Sequence, residues 1–186
     1  MIITISGLPG AGKTSVAKEL AKRLGYKTLS VGDIRGQMAI ERGITIDELN
    51  AMGTESDRLA DQKQKEIAAS NDNIIIEGRI SWYLISGSFK ILVTVDPNEG
   101  ARRIFEERKL DDGKRNDERM YASVEDAKDS IQKRVAIDRE RLHKLYGIDD
   151  FIKPDHFDFV LDTTGSTGTQ ENADHIMAAM KERGLI

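Results

Sequence analysis

The sequence predicts an α/β fold in which a five-stranded parallel sheet carries helices on both faces. Three observations lead there. Short apolar, β-branched runs alternate with stretches of helical periodicity along the chain, the pattern of strand–helix–strand units. Ile74-Ile75-Ile76 and Ile91-Leu92-Val93 are unbroken apolar runs, as strands covered on both faces should be. A glycine-bearing segment, Gly7-Leu8-Pro9-Gly10-Ala11-Gly12-Lys13-Thr14, joins the first predicted strand to the first predicted helix.

The elements follow in order. Ile2-Ile3-Thr4-Ile5 makes residues 2–6 the first strand. Val16, Ala17, Leu20, Ala21 and Leu24 recur at helical spacing and predict a helix over 14–24. A strand at 27–30 leads to a helix at 33–42, with Asp33 able to cap it. Helices at 47–51 and 55–69 precede the strand at 73–77. A strand at 90–95 feeds a helix at 97–107. Residues 108–119 are almost wholly polar and cannot bury a face, so an exposed, mobile segment is expected. A helix at 123–146, a strand at 158–163 and a helix at 170–183 complete the chain. At 186 residues, one domain with a sizeable core is expected over 1–186.

Composition removes several function classes. The net charge of −4 offers no basic footprint for nucleic acid. With no cysteine, disulfides, cysteine-ligated zinc and thiol catalysis are excluded. No apolar run approaches the ~20 residues of a membrane span. The N-terminus enters a strand directly, without the regions of a signal peptide. A cytoplasmic monomer is the expectation.

The glycine-bearing segment fits the phosphate-binding loop pattern. Backbone N–H groups at the start of the following helix favour an anion. The candidate ATP-binding residues are Gly7, Leu8, Pro9, Gly10, Ala11, Gly12, Lys13, Thr14 and Ser15. Lys13 can reach the β- and γ-phosphates, and the Thr14 hydroxyl can ligate Mg²⁺. Glu77-Gly78-Arg79 ends a buried strand, where such sheets bind ligands. Glu77 can hold a magnesium-bound water, and Arg79 can grip a phosphate with two prongs. Arg35, in the first turn after Asp33, is a candidate for a second anion. Arg134 and Arg141, seven residues apart, share a helix face, with Arg139 turned away from that line. The polar segment reads either as a solvated linker or as a lid bringing Arg108, Arg115 and Arg119 over the phosphates. Asp61 and Gln64, one helical turn apart, can both reach one base, or else lie exposed on an amphipathic helix. An acid there would accept from the exocyclic amine of cytosine. His143, His156 and His175 are scattered and read as surface or structural residues. The Asn-Lys-x-Asp motif of GTPases is absent, and Asp162-Thr163-Thr164-Gly165 falls too late to be a switch.

Together these residues resemble the nucleoside monophosphate kinase family, and within it the archaeal-type cytidylate kinases. The matching segments include the phosphate loop, Gly32-Asp33-Ile34-Arg35, Asp61-Gln62-Lys63-Gln64, Glu77-Gly78-Arg79, Arg134, Arg141 and Tyr146-Gly147-Ile148-Asp149. The resemblance implies a three-layer α/β/α P-loop NTPase fold with a helical acceptor-binding insert near 33–69 and a short arginine-rich lid near 108–122. It also implies ATP- and magnesium-dependent phosphorylation of CMP and dCMP. Lys13, Arg108, Arg115 and Arg134 would be catalytic. Asp33, Arg35, Asp61, Gln64, Gly78, Arg79, Arg134 and Arg141 would bind the acceptor. Thr14, Asp33 and Glu77 would serve the metal. Relatives often carry an arginine where this chain has Gly36, and Arg35 is expected to substitute for it. The rival readings are a kinase for AMP, UMP or shikimate, and a regulator that binds ATP without rapid turnover.

Overall fold

The computed structural model describes residues 1–45, 48–49, 52–110 and 121–186. Its strands are β1 (Ile2–Gly7), β2 (Lys27–Ser30), β3 (Ile74–Glu77), β4 (Phe89–Thr94) and β5 (Phe159–Asp162). They form one sheet in the order β2-β3-β1-β4-β5, with every pair parallel. The chain builds one side of β1 with β2 and β3, then the other with β4 and β5. Order reverses at β1, and the crevice beyond the carboxyl ends of the strands there is where such sheets hold ligands.

The helices are α1 (Lys13–Leu24), α2 (Val31–Arg42), α3 (Thr54–Ser70), α4 (Ser81–Leu84), α5 (Pro97–Leu110), α6 (Val124–Tyr146) and α7 (Thr169–Glu182). Alternation along the strands sorts the core into layers. Ile3, Ile5, Ile75, Ile91 and Val93 pack with Val16 and Leu20 of α1 and Ile176 and Met180 of α7. Ile74 and Ile76 face the other way, onto Ala68 of α3 and Ile85. Thr4 and Ser6 of the central strand are buried polar residues. Their hydroxyls are satisfied by Ser88 at 2.9 Å and by the Gly78 carbonyl at 2.6 Å.

Several boundaries differ from the sequence expectation. α2 starts at Val31 rather than Asp33, because Ser30 is the cap. The Ser30 hydroxyl accepts from the Asp33 N–H and the Asp33 carboxylate accepts from the Ser30 N–H, a capping box. α5 runs on through Arg108 to Leu110, so the polar segment begins as helix. The expected helix at 47–51 lies partly outside the described residues. The short helix α4 and a 3₁₀ turn at Pro154–His156 were not anticipated. Both belong to a cluster around Trp82, whose indole N–H donates to the Phe151 carbonyl at 3.1 Å. The Trp82 ring stacks on His156 at 4.3 Å, which gives that histidine a structural role. Among the described residues no helix is long and apolar enough to cross a membrane.

Candidate active site

The phosphate loop connects β1 to α1 at the carboxyl edge of the sheet. Its glycines serve different ends. A Cβ on Gly10 (φ +80) would sit 2.3 Å from the Gly100 carbonyl oxygen, so α5 and the loop touch backbone to backbone. A Cβ on Gly7 would meet the Val93 carbonyl oxygen at 2.0 Å. These two are required by protein packing, whereas a Cβ on Gly12 would meet no protein atom within 4 Å.

Lys13 folds back and donates from Nζ to the Leu8 carbonyl at 2.9 Å. Burial lowers its pKa from 10.5 to about 8; Glu77 opposes the shift, and Arg79 and Arg134 add to it. Lys13 therefore shares one electrostatic neighbourhood with three residues read from separate segments. Thr14 Oγ1 donates to Glu77 Oε2 at 2.8 Å. β1 and β3 are neighbours in the sheet, and that adjacency brings the loop's hydroxyl to the acid. Asp33 lines the same small cleft as Thr14 and Glu77. A hydroxyl and two carboxylates are hard oxygen donors, suited to a Mg²⁺ that keeps several waters. Among the described residues no group of three or more His, Cys, Asp or Glu could hold a metal ion.

Beside this lies an alternating array of arginines and aspartates. Arg35 Nη1 reaches Asp57 Oδ1 at 2.9 Å, and its Nη2 donates to Ser56 at 2.9 Å. Arg141 lies 3.3 Å from the other Asp57 oxygen and 3.0 Å from Asp138. Arg79 Nε meets the second Asp138 oxygen at 2.6 Å. Both aspartates are buried, at 8% and 5% exposed. Three guanidinium groups thus meet on the two carboxylates of Asp57 and Asp138. Burial pulls the Arg79 pKa down to about 10 although Asp138 works against the shift. The neighbouring Arg134, Arg141 and Arg35 add to that lowering. Asp57 Oδ2 and Arg141 Nε are also buried without a well-directed hydrogen bond. The array gathers guanidinium groups from α2, α6 and the end of β3 in one place. Asp57 and Asp138 were missed in the sequence, where each is one acid among many.

The remaining candidates divide. Arg134 is exposed on α6 but acts electrostatically on Lys13 and Arg79. Arg139 pairs instead with Asp150 at 3.4 Å. Gly36 has open space where a Cβ would be, and its neighbour Arg35 is engaged by Asp57. Arg108 lies in the last turn of α5. Arg115 and Arg119, with most of the expected lid, lie outside the described residues. Asp61 and Gln64 are joined at 3.2 Å. Gln64 is only 1% exposed, so its amide serves its neighbours rather than opening on the cleft, which corrects its expected base contact. Gly78 is closed in by Ser81 and Val31, leaving no room for a Cβ.

A second cleft, about 310 Å³, opens on the other side of the phosphate loop. Its walls include Gly12, Ser15, Arg102, Thr163 and Asn172. Thr163 Oγ1 lies 3.2 Å from the Ala11 carbonyl oxygen, placing the exit of β5 against the loop. Arg103 clamps Thr163, donating to its carbonyl at 2.7 Å and its hydroxyl at 3.1 Å. Of Asp162-Thr163-Thr164-Gly165, Thr163 lines this cleft beside the phosphate loop. Its position at the carboxyl end of a strand was the available signal.

Comparison with known proteins accords with this geometry. Residues 3–126 match a family described as an AAA domain. The cytidylate kinase of Methanosphaera stadtmanae is 33% identical over 166 residues, 88% of each chain. That of Methanospirillum hungatei is 36% identical over 88% of this chain and 87% of its own. A shorter match, 43% identical, joins 56% of this chain to 60% of the cytidylate kinase of Archaeoglobus fulgidus. Two solved structures share the fold at low identity. An uncharacterized protein from Eubacterium ventriosum superposes with a TM-score of 0.72 at 15% identity, over 98% of this chain and 99% of that one. The shikimate kinase of Acinetobacter baumannii, in complex with shikimate, gives 0.64 at 16%, over 100% of this chain and 95% of that one.

Proposed function

The chain belongs to the cytidylate kinase family, and we propose that it transfers the γ-phosphoryl group of ATP to CMP or dCMP, releasing ADP and the cytidine diphosphate. The observation that carries this reading is the meeting of two anion sites at Glu77-Gly78-Arg79. On one side stand the phosphate loop and Thr14; on the other stands the arginine array. A simple ATP sensor has no need of the second.

In this reading Gly10, Gly12 and Lys13 hold the triphosphate, with Lys13 exchanging the Leu8 carbonyl for phosphate oxygens. The nucleoside of ATP occupies the cleft beside Thr163. Arg35, Arg79 and Arg141 hold the acceptor phosphate in line, and Arg108, Arg115 and Arg134 serve to stabilise charge on the transferring group. An oxygen of the monophosphate attacks Pγ, and the bond from Pγ to the bridging oxygen of ADP breaks. The acceptor oxygen is already anionic, so positioning and charge stabilisation suffice. A magnesium ion near Thr14, Asp33 and Glu77 would neutralise charge on the phosphates. Asp61 faces the acceptor base. Free nucleotides as substrates suit a monomer working in the cytoplasm without nucleic acid or membrane.

The test is ADP release from Mg-ATP with CMP, dCMP, UMP, AMP, GMP and shikimate in turn. Rapid turnover confined to CMP and dCMP supports the proposal. Turnover only with another acceptor overturns the base while keeping the kinase. ATP binding without turnover on any acceptor overturns the kinase reading itself.

A further inference from the structure

A chain of hydrogen bonds runs through Asp61 that phosphoryl transfer alone does not explain. Ser81 Oγ, at the start of α4, donates to Gln64 Oε1 at 2.8 Å. Gln64 Nε2 donates to Asp61 Oδ1 at 3.2 Å. From the opposite side the Tyr146 hydroxyl, at the end of α6, donates to Asp61 Oδ2. Ser81 and Gln64 are fully enclosed, whereas Asp61 is half-buried. Asp61 is thus the outward end of a relay whose other members fix its orientation.

The position suits a nucleotide base. Asp57 and Asp61 lie four residues apart on α3, about 6 Å along its axis. Asp57 holds Arg35 and Arg141, so a phosphate seated among the arginines leaves its base at the level of Asp61. Tyr83 stands beside this point, 45% exposed. Its ring centroid is 5.7 Å from that of Tyr146. An exposed ring next to a polar edge is a stacking surface for a planar base.

We propose that Tyr146 is a specificity-determining positioning residue, holding the Asp61 carboxylate as an acceptor-only group that takes an amino-pyrimidine and rejects an oxo-pyrimidine. The inference rests on the reading of the chain as a nucleoside monophosphate kinase. Cytosine presents an amine donor at the ring position where uracil presents a carbonyl oxygen. An ionised carboxylate accepts and cannot donate. It pairs with the amine and opposes the carbonyl, leaving the uracil oxygen desolvated and unpaired. Adenine carries the same donor, so the device separates cytosine from uracil and not from adenine. Burial raises the Asp61 pKa, and the Tyr146 hydrogen bond is the first of the interactions that oppose the rise. Burial and the neighbouring Asp57 favour a protonated Asp61, which could donate to uracil; Tyr146, Lys65 and Arg141 oppose that.

The test measures kcat and KM separately for CMP, UMP and ATP in the full chain, using ADP release. The wild type is expected to prefer CMP over UMP by about 100-fold in kcat/KM, the order expected when a buried polar group is left unpaired. Tyr146→Phe keeps the ring and is expected to cut that ratio about tenfold, one hydrogen bond to a charged group. The loss falls on the KM for CMP, with the KM for ATP unchanged. Asp61→Asn, which can both donate and accept, is expected to bring the two pyrimidines within about threefold. A Tyr146→Phe enzyme with the wild-type ratio overturns the proposal, and so does one that weakens ATP and CMP alike. Should that variant fail to fold, an unchanged ratio in Asp61→Asn overturns it equally. A wild type that prefers UMP sinks this inference but leaves the kinase standing; a wild type inert toward every monophosphate sinks the proposed function instead.

Discussion

Lys13 supplies the sharpest prediction, because its environment in the free protein opposes the charge it needs with ATP bound. Its pKa falls from 10.5 to about 8 through burial, with no phosphate to compensate. Keeping the proton in the folded protein is thus costlier by about 3 kcal/mol than in the unfolded chain. The sign follows from proton counting. Between pH 8 and 10.5 the unfolded chain binds more protons at this site, so its contribution to stability rises with pH across that window. Nucleotide reverses the preference: phosphate oxygens raise the lysine's pKa, and binding draws a proton from solvent. With a free pKa of about 8, uptake should be about half a proton per ATP at pH 8 and nearly one at pH 9. Calorimetric titration of Mg-ATP in buffers of different ionisation enthalpy measures this directly. Lys13→Met should abolish the uptake, leave the fold intact and lower turnover by orders of magnitude. Binding heats independent of buffer at pH 9, or equal uptake in Lys13→Met, would refute the reasoning. So would wild-type activity in the folded variant.

Four further substitutions probe other parts of the molecule. Asp138→Asn leaves Arg79 and Arg141 without their shared carboxylate; solvent screening at these third-exposed arginines limits the cost to about 2 kcal/mol. Urea unfolding should show that loss, and the KM for the acceptor should rise more than the KM for ATP. Thr163→Val removes the hydroxyl between the β5 exit and the Ala11 carbonyl. The KM for ATP should rise several-fold at about 1 kcal/mol of stability, with the KM for CMP unmoved. Gly36→Ala meets open space inside α2 and should stabilise the protein by about 0.5–1 kcal/mol. Gly10→Ala drives a Cβ into Gly100 and should abolish ATP binding or folding, as followed by calorimetry and circular dichroism.

What was legible in the sequence, and what was not, divides along a physical line. The phosphate loop is local: its chemistry lies within consecutive residues, and the strand before it and helix after it carry strong periodicities. The five strands were legible because buried parallel strands must be apolar throughout. Glu77 stood out because an acid ending an Ile-Ile-Ile run needs a reason. Asp57 and Asp138 offered no comparable sign, and Tyr146 and Thr163 stood in noted segments without a sign of their partners. Each gains its role from a partner on another element: Arg35 and Arg79 from Asp57 and Asp138, Asp61 from Tyr146, Ala11 from Thr163. Spacing along the chain does not encode such pairings. Gln64 was read one step too far out, because one face of α3 packs toward Ser81 and takes the amide with it. Asp33 was read as a cap when its neighbour Ser30 is the cap and Asp33 the reciprocal acid, a distinction of three residues within one motif.

The central claim is that the γ-phosphoryl group passes directly from ATP to the monophosphate between the phosphate loop and the arginine array. Incubating the protein with γ-labelled ATP, Mg²⁺ and CMP, then separating the nucleotides, follows that group itself. The account predicts label in CDP, in equal amount to the ADP formed, and no transfer in Lys13→Met. Label accumulating as inorganic phosphate, with CMP recovered unchanged, would contradict it.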